Sequence, residues 1–204
     1  MKKVFVLLIF TLTLLIGCSS NQNQLNNLKE EGIAPFELTE NEEYLLQSLD
    51  LQNNSQVISF NAPREAITLK INVKRLKDGE GWDDIQEGKL SIGSKRQPID
   101  KLEGTFTMIL KENYAVDFNV DCGGLYSYKI EKPNIDTENM IFTKAFLTNI
   151  KDIEINKEIP IAIMVYDSET SMSSYSLEDY FEPSKFKGMD LVQVVTLTFT
   201  EEEL

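Results

Sequence analysis

The chain has 204 residues, with 33 acidic against 20 basic side chains and a net charge of −13. That balance excludes nucleic-acid binding, which needs a basic surface to displace counterions, and a basic patch for an anionic leaflet. Histidine is absent, which removes Ser-His-Asp and Cys-His chemistry, His-ligated metal centres and the usual neutral-pH proton shuttle.

The first segment reads Met1-Lys2-Lys3, then an apolar run from Val4 to Ile16, then Gly17-Cys18. A short basic start, a greasy core and a small residue before a cut site are the parts of a secretory signal. A run of that length reaches about 20 Å as a helix, short of the roughly 30 Å hydrocarbon core. The box Leu15-Ile16-Gly17-Cys18 resembles the lipobox of bacterial lipoproteins, and the chain is similar in character to lipoproteins of Gram-positive bacteria. The resemblance implies that residues 1–17 are removed, that Cys18 carries lipid, and that the protein sits on the extracytoplasmic face of the cell membrane. With Cys18 acylated, Cys122 has no partner in the chain, so stability must come from apolar burial. Residues 18–38 begin polar and uncharged and are expected to be a flexible tether, leaving 39–204 as one domain.

Thr39-Glu40-Asn41-Glu42 is a capping box, so a helix is expected from Glu40 to about Leu49. Its stripe of Leu45, Leu46 and Leu49 is expected to dock on the domain edge. From Gln56 the period changes to two. Ile67, Leu69, Ile71 and Val73 alternate with polar residues, and Asp78 to Gly81 marks a turn. Phe106, Met108 and Leu110 form a second strand, and Val116, Phe118 and Val120 a third, paired as a hairpin. Gly123-Gly124 turns the chain into Tyr126–Ile130. Ile141–Leu147, Ile159–Val165 and Leu191–Thr200 complete the set. The last is apolar on both faces and reads as central, while Pro160 places the strand it begins at a sheet edge. Short strands near ten residues apart with one helix predict a mainly β protein, an antiparallel β-sandwich, with a β-barrel as the alternative.

The candidate sites each have a plain structural reading beside them. Asp78, Glu80, Asp83 and Asp84 crowd one loop, where calcium is weaker than a solvated turn because the spacing matches no EF-hand. Trp82 is expected to cover an end of the core rather than stack on a ligand. Cys122 beside Asp121 is no activated nucleophile. Tyr126 and Tyr128 share a face with Ile130 and read first as packing. Residues 167–183 form an unusually long link between strands. There Leu177 and Phe181 are expected to close the sandwich, and Met172, Tyr175 and Tyr180 to form an exposed contact surface for a protein or peptide partner.

No cofactor motif or catalytic constellation stands out. The function expected is therefore a membrane-anchored binding or interaction module, not an enzyme, held to the membrane through lipid on Cys18. A carboxylate-dependent hydrolase is the alternative, and an immunity-type lipoprotein sequestering a cationic peptide is a third reading.

Overall fold

The computed structural model describes residues 28–77, 81–93, 101–111, 115–130, 140–168 and 173–204. Cys18, Asp78, Glu80 and Met172 lie outside them. The elements in chain order are β1 (Gly32–Pro35), α1 (Glu40–Ser48), β2 (Ser55–Asn61), β3 (Thr68–Lys77), β4 (Gly81–Ser91), β5 (Glu103–Leu110), β6 (Val116–Asp121), β7 (Leu125–Ile130), β8 (Ile141–Phe146), β9 (Glu158–Asp167), two 3-10 turns at Leu177–Phe181 and Pro183–Phe186, and β10 (Leu191–Thr200).

The strands make two five-stranded antiparallel sheets, ordered β1-β2-β5-β6-β7 and β4-β3-β10-β9-β8. Successive side chains of a strand point to opposite faces, so the alternation in the sequence sorts each sheet into an inner and an outer side. Ile58 and Phe60 of β2, Phe106 and Met108 of β5, and Phe118 and Val120 of β6 meet Leu69, Ile71 and Val73 of β3 and Val195, Leu197 and Phe199 of β10 in one core. Phe60 touches Phe199 across it, ring centroids 5.7 Å apart. At one flank Ile33 and Lys151 exchange backbone hydrogen bonds, both 2.9 Å. At the other, Tyr128 donates its hydroxyl to the Lys89 carbonyl at 2.7 Å and Gln86 donates to the Lys129 carbonyl at 3.2 Å. These stitches tie the sheets together without a continuous ladder, so the molecule is a sandwich and not the barrel.

Three expectations are corrected. The domain begins before residue 39, because β1 pairs with β2 and buries Ile33 completely. β9 is no edge strand, since it runs between β10 and β8. Pro160 is tolerated there because it lies at the bulge between Val195 and Thr196, where the ladder is already interrupted. Finally, α1 keeps its predicted capping box but does not dock: none of its residues is buried. Of its predicted stripe, Leu45 and Leu49 are exposed and Leu46 is half-buried.

Every residue of β10 is buried, and so is nearly every residue of β9. Their inner side chains face the other sheet. Their outer ones, among them Val192, Val194 and Thr196, lie beneath the segment that links the two strands, which contributes buried Leu177, Tyr180 and Phe186. The second sheet is thus sandwiched in its turn. No helix among the described residues is long and apolar enough to cross a membrane.

Gly104 marks the tightest backbone approach. A Cβ there would sit 1.9 Å from the Asp121 carbonyl oxygen and 3.0 Å from its carbon. Gly104→Ala should therefore force β5 and β6 apart and lower stability by about 3 kcal/mol. Chemical denaturation with an unchanged slope and a reduced midpoint checks this.

Candidate docking site

The long link between β9 and β10 is built from the inside out. Leu177–Phe181 is a 3-10 turn, in which residues three apart eclipse. Leu177 and Tyr180 therefore point inward together, and Phe181 is turned out. Tyr180 is 7% exposed and Phe181 61%. This reverses the expected roles: Tyr180 closes the structure, and Phe181 faces solvent. Tyr175 is half-buried, its ring 4.8 Å from Phe186 and its hydroxyl 3.5 Å from the Met189 sulfur. The contact surface assigned to Tyr175 and Tyr180 is thus packed into the protein. The segment, read from sequence as a long link with Tyr180 exposed, instead folds into a turn that buries it.

Trp82 seals the same layer. Its indole stacks on Tyr180 with centroids 5.2 Å apart, lies 6.0 Å from Phe186 and donates to the Tyr180 carbonyl at 3.0 Å. Beside it runs a chain of polar contacts. The Tyr180 hydroxyl donates to Glu158, the Lys74 ammonium lies 2.7 Å from Glu158, and Asp84 sits 3.1 Å from the same ammonium. Burial alone would depress the Lys74 pKa, but the hydrogen bonds it donates to Glu158 and Asp84 more than reverse it, so the lysine stays charged. Burial, and then the Glu158 acceptor, drive the Tyr180 phenol far above its ordinary value. Asp83 points to the opposite face of β4 and pairs with Lys77 at 3.7 Å. Asp83 and Asp84, which share a loop in the sequence, are therefore separated in space and matched to different lysines.

Cys122 is buried, and desolvation pushes its thiol up to about 11. Tyr128 is spent on the Lys89 carbonyl, while Tyr126 remains exposed at the end of its strand. Beside Phe181 opens a cleft of about 530 Å³, lined by Ile159, Pro160 and Leu177 and by the ion pairs Lys151–Glu178 and Lys157–Glu154.

Among the described residues, a second exposed apolar surface lies at α1. The helix is closed at both ends. Thr39 and Glu42 form the reciprocal capping box, with the Thr39 amide 2.7 Å from the Glu42 carboxylate. The hydrogen bond from the Thr39 amide, then that from its hydroxyl, hold the Glu42 pKa low. At the other end Leu51 donates to the Leu46 carbonyl at 2.8 Å around Asp50, which takes a left-handed φ of 56°. Two good caps let nine residues hold a helix of which only Leu46 is half-buried and no residue is fully buried. Tyr44, Leu45 and Leu49 are 72%, 56% and 57% exposed.

From Leu49 the apolar surface runs into a cleft of about 520 Å³, lined by Leu51, Ile109, Leu110, Phe142 and Tyr166. Phe142, 40% exposed, stacks on buried Tyr166 at 4.7 Å. Lys144 lies over the Phe142 ring at 5.3 Å and donates to the Asn54 side chain at 2.7 Å; burial lowers its pKa. Lys111 at the rim pairs with Asp117 at 3.1 Å. The sequence did show the helix and its stripe, but not that the stripe would stay open. Phe142, in a strand of weak alternation, carried no signal at all.

No family model matches the chain, and no curated protein or solved structure matches it.

The register of the 3-10 turn is open to a direct test. Tyr180→Ser should cost about 3 kcal/mol, whereas Phe181→Ser should change stability by less than about 0.5 kcal/mol. Paired thermal melts read both, and equal losses would contradict the assignment. The thiol gives a second check. An unfolded cysteine ionises near 9.0 and the folded one near 11, so Cys122 contributes stability below pH 9 that is lost as the pH rises towards 11. In the folded protein at pH 8, Cys122 should resist iodoacetamide and react only once denaturant unfolds the chain.

Proposed function

We propose that this protein is a membrane-anchored extracytoplasmic binding module, held by lipid on Cys18, which presents α1 and the adjoining Phe142 cleft to a protein or peptide partner. The observation that carries the reading is a fully capped helix whose Tyr44, Leu45 and Leu49 are more than half exposed. Apolar surface is normally buried, and a contiguous exposed patch marks an interaction site. A helix this short is marginal alone and buries no side chain fully here, so an ordered helix with an open apolar side suits contact with something outside the fold. The anchor is supported by the Leu15–Cys18 box and the short apolar run before it.

Binding is favoured over carboxylate-dependent hydrolysis by the pairing of the acidic groups. Glu158 and Asp84 share Lys74, Glu154 is held by Lys157 and Glu178 by Lys151. A hydrolytic pair needs two carboxyl groups facing a substrate across a cleft, one of them protonated.

Two measurements test the reading. Cys18→Ala should move the protein out of the lipid-anchored membrane fraction or leave its signal uncut, and intact mass should find no acyl chains; a wild-type chain with unmodified Cys18 would overturn the anchor. The triple variant Tyr44→Gln, Leu45→Gln, Leu49→Gln should keep its melting temperature within about 2 °C. A fall of many degrees would make the helix face structural and end the docking assignment.

A further inference from the structure

Resting on the reading of α1 as a docking face, we propose that its partner is a basic amphipathic helical segment, which lays its apolar side along Tyr44, Leu45, Leu49 and Phe142 and its Lys or Arg side chains against the acidic flank of α1. The charges on the page decide the partner's class. All the ionised side chains of α1, Glu40, Glu42 and Glu43, are acidic, and Asp50 follows at its end. Of the cations near the cleft, Lys111 is matched to Asp117, and Lys144 is turned onto Asn54 and the rings of Phe142 and Phe146. Among the described residues, the charge left open at this face is negative. A second copy would bring glutamates against glutamates and one chain of net charge −13 against another. An anionic leaflet is repelled for the same reason. A basic segment is attracted, and the cost of leaving the leucines in water falls when its own apolar side covers them. The groove suits a helix, because Leu49 at the end of α1 lines the same cleft as Leu51, Ile109, Leu110 and Phe142, an apolar trough of the kind an amphipathic helix fills.

The experiment uses the lipidated full chain in nanodiscs of zwitterionic phosphatidylcholine, with empty discs as the blank. Three labelled peptides of equal length serve as probes: one with leucines at helical i, i+3, i+4 spacing and lysine flanks, one with glutamate flanks, and one with lysine flanks but serine for leucine. Fluorescence anisotropy should show binding of the first alone, weakening as salt rises. Glu40→Gln with Glu43→Gln, which leaves the capping Glu42 in place, should weaken it about fivefold. Leu45→Gln with Leu49→Gln should abolish it, with the melting temperature of both variants unchanged. If the acidic peptide binds equally well, or the glutamate variants bind normally while the leucine variants fail, the basic partner is refuted and the docking face stands. Concentration-dependent dimers lost in the leucine variant would likewise replace the basic segment with a second copy. If the leucine variants bind the basic peptide as the parent does, the docking face itself is refuted. Failure of all three probes to bind refutes the basic amphipathic partner.

Discussion

Burial of the second sheet on both faces is the constraint from which most of the architecture follows. β10 has apolar or threonine side chains at nearly every position, so neither of its faces can be left in water. The first sheet covers one. The other requires a further layer, and the chain supplies it from the connection between β9 and β10 themselves. That is why this connection is several times longer than a hairpin turn and why Tyr180 and Phe186 point inward. Trp82, which leans in from the edge strand β4, completes the cover, and its indole nitrogen is satisfied by the backbone of the segment it packs against.

The polar contacts beneath the cover follow from the same constraint. Lys74 lies on the outer face of β3, where the cover takes it out of water. A buried ammonium is costly unless it is paired and hydrogen-bonded, and here it meets carboxylates from β4 and β9 at once. Glu158 in turn accepts from Tyr180, so one buried lysine fixes the register of two strands and a 3-10 turn. By contrast, α1 lies outside every layer. It is ordered by its own caps, and this separation lets a surface helix differ from the rest of the molecule in what it exposes.

How far the amino-acid sequence foretells this arrangement depends on whether a residue's neighbours are local. β5 and β6 were legible because a dry face alternates with a more exposed one, and β3 and β9 because aliphatic residues recur at every second position even though both of their faces are largely covered. The β5–β6 hairpin was legible from its short link. β4 was not, because this edge strand is exposed along most of Gly81–Ser91 and has no apolar side to alternate; its aspartates read as a loop. β1 is four residues long and follows a polar stretch, too short for any period. The capping box at Thr39 is a local signal and was read correctly, whereas the fate of the helix stripe depends on whether another element comes to meet it. Tyr180 and Phe181 show the finest limit: neighbours in sequence, they exchange burial according to whether the turn has 3.0 or 3.6 residues.

The position of β10 also governs the order in which the molecule can assemble. It is the last strand to leave the ribosome, yet it lies at the centre of its sheet, between β3, formed from residues 68–77, and β9. Until it arrives, β3 and β9 have no common partner, and each presents an unpaired apolar edge. Pairings so distant along the chain carry a high contact order, which slows folding. The nascent domain must therefore persist for a time with half its framework open, and any factor that shields strand edges during synthesis acts on this interval.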